Sequence, residues 1–143
     1  MFRILHLSDI HIGRTYKEPD SIACKITSDI ANNGLSGINC VVVTGDIFDG
    51  QARTQQSLID IAVDFFETLL TEINSNQEKS QIGKDDIIFV PGNHDCDFEN
   101  EAVTLREAIL TSPKLDVADA SQLELCTSIQ KNYFNFVCEF GKK

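Results

Sequence analysis

Three short apolar runs, each ending abruptly in carboxylates, imidazoles and glycines, constrain this chain more than any other feature. Phe2-Arg3-Ile4-Leu5-His6-Leu7 leads into Ser8-Asp9-Ile10-His11. Cys40-Val41-Val42-Val43-Thr44 leads into Gly45-Asp46-Ile47-Phe48-Asp49. Ile87-Ile88-Phe89-Val90 is stopped by Pro91 and leads into Gly92-Asn93-His94-Asp95. Short runs rich in β-branched and large apolar residues are suited to buried strands.

Helical patterns separate them. Asp20 is placed to cap a helix carrying Ile22, Ile26 and Ile30, and Asn33-Gly34 is a stop signal. From Thr54, Leu58, Ala62, Phe65, Leu69 and Ile73 form one apolar stripe. Residues 74–85 read as a polar surface connection. Residues 99–110 read as a further helix with Ala102, Leu105 and Ile109 inward, ended at or before Pro113. From Ser121, two patterns compete. Cys126, Ile129, Tyr133, Val137 and Phe140 fit a helix, whereas Phe134, Phe136, Cys138 and Phe140 alternate as in a strand. Helix is preferred because Gln130-Lys131-Asn132 carries no turn signal. The fold class is therefore α/β: a mostly parallel sheet with crossover helices, in one domain over residues 1–143. Residues 1–98 form the βαβαβ part and residues 99–143 the helical part. Strands alternating with helices make a parallel sheet with right-handed crossovers. Such a sheet gathers the strand C-terminal ends, and so all three polar clusters, on its ligand-binding edge.

A chain of 143 residues can bury one domain's core. Twelve basic against 22 acidic side chains give a net charge of −10, which argues against binding polyanions through bulk charge. Bound cations would reverse the sign locally. No apolar run approaches the roughly 18 residues of a membrane span, and the first motif leaves no room for a signal peptide. The expectation is a cytoplasmic protein with no membrane partner. Cys24, Cys40, Cys96, Cys126 and Cys138 are odd in number and form no C-x-x-C pair, so reduced thiols are expected.

Asp or Gly after a strand is ordinary turn chemistry, and each of the first two clusters alone means little. Gly92-Asn93-His94-Asp95 is sharper, since four specified residues recur by chance on the order of once in 10⁵–10⁶ positions. Brought to one edge, the clusters supply ligands for divalent cations. Asp9 and His11, two apart, would bind one ion from the same side of an extended segment. The two oxygens of Asp46 could bridge two ions, and Asn93 could offer its carbonyl oxygen to the second. Neither a GxGxxG nor a P-loop pattern occurs.

With D-x-H at Asp9-Ile10-His11, G-D-x-x-D at residues 45–49 and G-N-H-D at residues 92–95, the chain resembles the calcineurin-like metallophosphoesterase family. The resemblance is good over residues 3–98 and loose beyond. Residues 4–15 and 45–49 are worded most like the SbcD-type DNA repair nucleases. The resemblance implies the N-terminal part of a metallophosphoesterase sandwich and a metal-dependent phosphoester hydrolase, phosphodiesterase or nuclease-like, with a dinuclear site. Asp9 and His11 would bind the first metal, Asp46 would bridge, and Asn93 would bind the second. His94 would protonate the leaving oxygen, Asp95 would orient His94, and Asp49 would support the loop. The cofactors implied are two divalent ions, Mn²⁺ first, with Fe, Zn or Mg as alternatives. The substrate implied is a phosphoester, with DNA or a nucleotide as the candidates.

The family completes its site with a later single histidine and a G-H-x-H segment, and this chain's histidines are His6, His11 and His94. His6 lies within the first strand and reads as a core or edge histidine. The chain could be the N-terminal half of a longer enzyme, a short relative without activity, or one completed by another chain. The first is preferred. The alternative function is a non-catalytic metal-binding or interaction domain on the same fold. An incomplete fold would expose Phe134, Phe136 and Phe140 and favour an oligomer or a partner chain. Arg14, Lys17 and Arg53 are candidate phosphate contacts of lower rank, and Cys96 a packed thiol.

Overall fold

A computed structural model describes residues 1–13, 19–34, 36–49, 56–77, 81–97 and 120–142, with residues 104, 107, 108, 110 and 111. Its elements are β1 (Ile4–Leu7), α1 (Pro19–Asn32), β2 (Cys40–Thr44), α2 (Gln56–Ser75), β3 (Ile87–Val90), α3 (Ala120–Thr127) and α4 (Lys131–Lys142). Single 3₁₀ turns at Lys84–Asp86 and Ser128–Gln130 precede β3 and α4.

The sheet is parallel in the order β1-β2-β3, so the fold is the mixed α/β architecture read from the sequence. Leu5 pairs with Val41 and Val41 with Ile87, while Leu7 pairs with Val43 and Val43 with Phe89. These two rows face the core: Val41 and Val43 are fully buried, and Leu5, Leu7 and Phe89 pack against them. Two crossovers of one hand, stepping the same way across the sheet, put α1 and α2 on that face. Among the described residues no helix covers the opposite face, where Ile4, Ile88 and Val90 are about half exposed.

α1 begins at Pro19, one residue before the position at which Asp20 would be a cap. Proline suits the first helical position because its φ is preset and its missing N–H would have had no partner there. The helix stops at Asn32, and Gly34 follows with φ 67°, its N–H donating to Ala31. That is the expected stop, made by a left-handed residue that glycine adopts freely. α2 begins at Gln56 and buries a wider face than one stripe. Ile59, Val63, Phe66 and Leu70 join Ala62, Phe65, Leu69 and Ile73, because α1, the sheet and α4 all pack on it.

The connection before β3 is not wholly polar surface. Ile82 is buried, and its N–H and C=O are both held at 2.9 Å by the Asn74 side-chain amide. Residues 78–80 lie outside the described residues. Lys84 donates to Glu67 at 2.7 Å and to the Phe140 carbonyl at 3.0 Å, tying this segment to α4.

The segment from Ser121 is helical, as preferred. α4 is amphipathic: Tyr133, Phe136 and Phe140 are buried, whereas Phe134 is 45% exposed. The expectation that Phe136 and Phe140 would be bare is corrected. They lie four apart on one helix face, and their rings meet Phe66 of α2 and Phe89 of β3 at 5.1–6.1 Å. Of the helix expected over 99–110, Thr104, Glu107, Ala108 and Leu110 are helical. Ala102, Leu105, Ile109 and Pro113 lie outside the described residues. No helix among the described residues is long and apolar enough to cross a membrane.

Candidate metal centre

The three strands end on one edge, and the loops leaving them are bonded directly to one another. Asp9 N–H donates to the Gly45 carbonyl at 3.3 Å, His11 N–H to Asp46 at 2.9 Å and Ile12 N–H to Ile47 at 2.7 Å. Asp49 N–H returns to Ile12 at 3.2 Å, closing a parallel bridge between Ile12 and Phe48. Ile10, Ile12, Ile47 and Phe48 are buried, which anchors both loops in the core beneath the polar side chains.

The third loop joins through Asp46 and two glycines. His94 N–H donates to Asp46 Oδ1 at 2.9 Å. A Cβ on Gly92 would stand 2.2 Å from Asp46 Oδ1, and one on Gly45 would stand 2.5 Å from the Gly92 Cα. The two motifs can approach this closely only as glycines.

Asp9, His11 and Asp46 have φ of 56°, 51° and 54°, the only positive values among the described non-glycine residues. Each costs of order 1–3 kcal/mol, which surrounding structure must offset, and such residues cluster at functional sites. Residues 9 and 11 are therefore not extended. They approach one another through left-handed turns held by the hydrogen bonds to residues 45 and 46, which corrects the strand-like spacing expected from sequence.

The donor atoms of Asp9, His11 and Asp46 all lie within 4.8 Å of one another. Opposite ligands on one divalent cation stand about that far apart, with metal–oxygen bonds of about 2.3–2.6 Å for the larger ions. Two carboxylates and an imidazole are a fitting set for such ions. His11 Nε2 lies 3.9 Å from Asp9 Oδ1, and Ser8 Oγ donates to Asp9 Oδ2. The His94 ring stands edge-on to His11, with centroids 4.9 Å apart. Asn93 sits at the exposed tip of the third loop, its main-chain carbonyl accepting the Cys96 N–H at 3.3 Å.

Asp95 is buried, and its described hydrogen bonds run to main chain. Oδ1 accepts Phe48 N–H at 2.8 Å and Oδ2 accepts Gly92 N–H at 2.9 Å. Its geometry is that of a brace between the second and third loops. Burial raises its carboxyl above the usual range; the N–H groups of Phe48 and Gly92 pull it back, and the charge of Asp46 pushes it further up. Asp49 is buried where its own N–H meets Ile12.

His6 faces the other way, on the exposed sheet surface, with Nε2 2.6 Å from Thr44 Oγ1. Cys96 Sγ lies 3.3 Å from the Gly92 carbonyl. Cys24, Cys40, Cys96 and Cys138 are free thiols. Arg14, Lys17 and Arg53 lie outside the described residues. The residue that sequence reasoning passed over is Phe48. A bulky phenyl ring within a polar metal-ligating motif was the available signal.

A family model described as calcineurin-like phosphoesterase matches residues 2–143. An uncharacterized protein of Acanthamoeba polyphaga mimivirus is 35% identical over 104 residues, which cover 68% of this chain. The match spans only 6% of that relative's length. No solved structure matches the chain.

Proposed function

Since the chain belongs to the calcineurin-like phosphoesterase family, we propose that it serves a metal-dependent phosphodiesterase or nuclease with a two-cation site. One observation carries this reading: the donor atoms of Asp9, His11 and Asp46 lie within 4.8 Å of one another on three strained residues. Asp9, His11 and Asp46 would hold the first cation, and Asp46 and Asn93 the second. Divalent cations supply charge neutralisation at the phosphoryl group and lower the pKa of water. Mn²⁺ is the first choice, with Fe, Zn or Mg as alternatives.

The protein's own groups do the rest. Asp46 holds the His94 main chain through Oδ1, which sets the imidazole beside the donor set. From there the His94 ring delivers a proton to the leaving oxygen. Asp95 keeps the two loops in register, so that imidazole and carboxylates stay aligned. DNA or a nucleotide is the proposed substrate. The wording of residues 4–15 favours a nuclease, while the net charge of −10 leaves the cations as the main attraction for a phosphodiester. A second reading, a metal-binding or interaction domain without turnover, draws support from the histidines. Of the three, His6 faces away from the site, so His11 and His94 alone serve it.

In the complete enzyme, hydrolysis of bis(p-nitrophenyl) phosphate with added Mn²⁺ separates the two, alongside metal stoichiometry. His94→Ala should keep its metal and lose about 10²–10⁴-fold in turnover, the usual worth of a general acid. Asp46→Ala should lose both metal and turnover. Metal bound without turnover by the complete enzyme would select the second reading, whereas the 143-residue chain alone is expected to bind metal weakly and turn over little on either reading. A fully loaded Asp46→Ala protein would overturn the site.

A further inference from the structure

We infer that Phe136 is a positioning residue for the metal-binding loops: through Phe48, α4 sets the geometry of a site to which it contributes no ligand. The inference rests on reading Asp9, His11 and Asp46 as metal ligands.

The main chain of Phe48 is where the three loops meet. It bridges to Ile12 of the first loop, and its N–H is held by Asp95 of the third. Asp95 in turn holds Gly92 N–H, and Gly92 touches Asp46. The Phe48 ring leaves this junction and packs edge-to-face on Phe136, with centroids 5.7 Å apart. Phe136 is wholly buried and wedged between Phe48, Phe66 and Phe89. A close-packed interior offers the Phe48 ring no other seat while Phe136 is present. Taking away the Phe136 ring opens a void into which Phe48 can turn. Residues 47–49 would then follow, drawing the Phe48 N–H off Asp95 two residues from Asp46. A second tie runs the same way: Asp97 N–H donates to the Ile129 carbonyl at 2.7 Å, joining the exit of the third loop to the turn before α4.

Phe140, one turn further along α4, is the natural control. It meets Phe66, Phe89 and Phe136 in the same aromatic cluster, and no described ring pair joins it to Phe48.

The test compares Phe136→Leu with Phe140→Leu in the full 143-residue chain, with Phe136→Met as the milder variant should the first fold poorly. Thermal midpoint, Mn²⁺ affinity and amide exchange at Phe48 and Gly92 are measured for each, the last without metal. Both substitutions should lower the midpoint. Phe136→Leu should also weaken Mn²⁺ binding on the order of tenfold, the usual effect of losing support behind a ligand. It should speed exchange at Phe48 and Gly92, while Phe140→Leu leaves affinity and these amides as in the parent. Adding Phe48→Leu to Phe136→Leu should cost little more, since the pair acts as one contact. Equal losses in the two single variants, or unchanged affinity and exchange in Phe136→Leu, would overturn the inference while leaving the ligands in place. A parent chain that binds no Mn²⁺ would remove the ligand assignment and this inference with it.

Discussion

At the scale of single residues, the site is a set of close approaches, and the tightest is Gly92 against Asp46. A methyl group on Gly92 would meet Asp46 Oδ1 and Asp46 N at 2.2 and 2.4 Å, so backbone or carboxylate must move. Neither neighbour gives way cheaply: Asp46 N is main chain, and Asp46 Oδ1 is pinned by His94 N–H. Gly92→Ala should therefore destabilise the fold by about 1–3 kcal/mol, as overpacking does. It should also reduce metal affinity, because the displaced atom belongs to the proposed ligand set. Gly141→Ala is the control, since nothing lies within 4 Å of its added Cβ. Thermal unfolding with and without Mn²⁺ checks this: the metal-induced rise in midpoint should shrink in Gly92→Ala and persist in Gly141→Ala.

At the scale of elements, α4 does more than fill the core. It brings Tyr133 under the third loop, where burial first, and the charge of Asp95 second, raise the phenol to about 12. The unperturbed phenol titrates near 10. A folded-state pKa above the unfolded one favours the protonated phenol in the fold. This stabilising contribution is full below about pH 10 and is lost as pH rises toward 12. Tyr16→Phe leaves Tyr133 as the single tyrosine, and absorbance at 295 nm should then report a midpoint near 12 in the folded chain. Denaturation at pH 11 should need less urea than at pH 9. A midpoint near 10 with the fold intact would show Tyr133 to be freely solvated.

For the molecule as a whole, the two sheet faces differ. One is sealed by α1, α2 and α4. The other shows Ile4, Ile88 and Val90 about half exposed, beside His6 and Thr44, on a sheet whose outer strands have no further strand partner among the described residues. Apolar patches and open edges promote pairing. The isolated chain is expected to self-associate with rising concentration despite its net charge of −10. Light scattering after size exclusion should give a mass above 15.9 kDa. Ile88→Lys with Val90→Thr should return it to the monomer without touching the core. A parent chain monomeric at every concentration would mean that this face is tolerated bare.

Local sequence determined the order of elements and the common edge of the three motifs. Val41 and Val43 are short β-branched core residues wherever the strand lies, and parallel strands can end only on one side. The same topology brings Asp9, His11 and Asp46 together. The helical reading from Ser121 rested on the lack of a turn signal at Gln130-Lys131-Asn132, since helical and strand periodicities both fitted the segment. Tertiary structure decided what depends on partners far along the chain. The left-handed turns at Asp9, His11 and Asp46 run against local preference and are held by hydrogen bonds between loops. Asp95 reads as a neighbour of His94, yet it is bound to Phe48, 47 residues away, because a buried carboxylate goes where N–H groups can satisfy it. Phe136 and Phe140 are covered because Phe66 and Phe89, distant in sequence, offer ring edges at the right spacing. Periodicity shows that a face is apolar; only the packed chain shows what meets it.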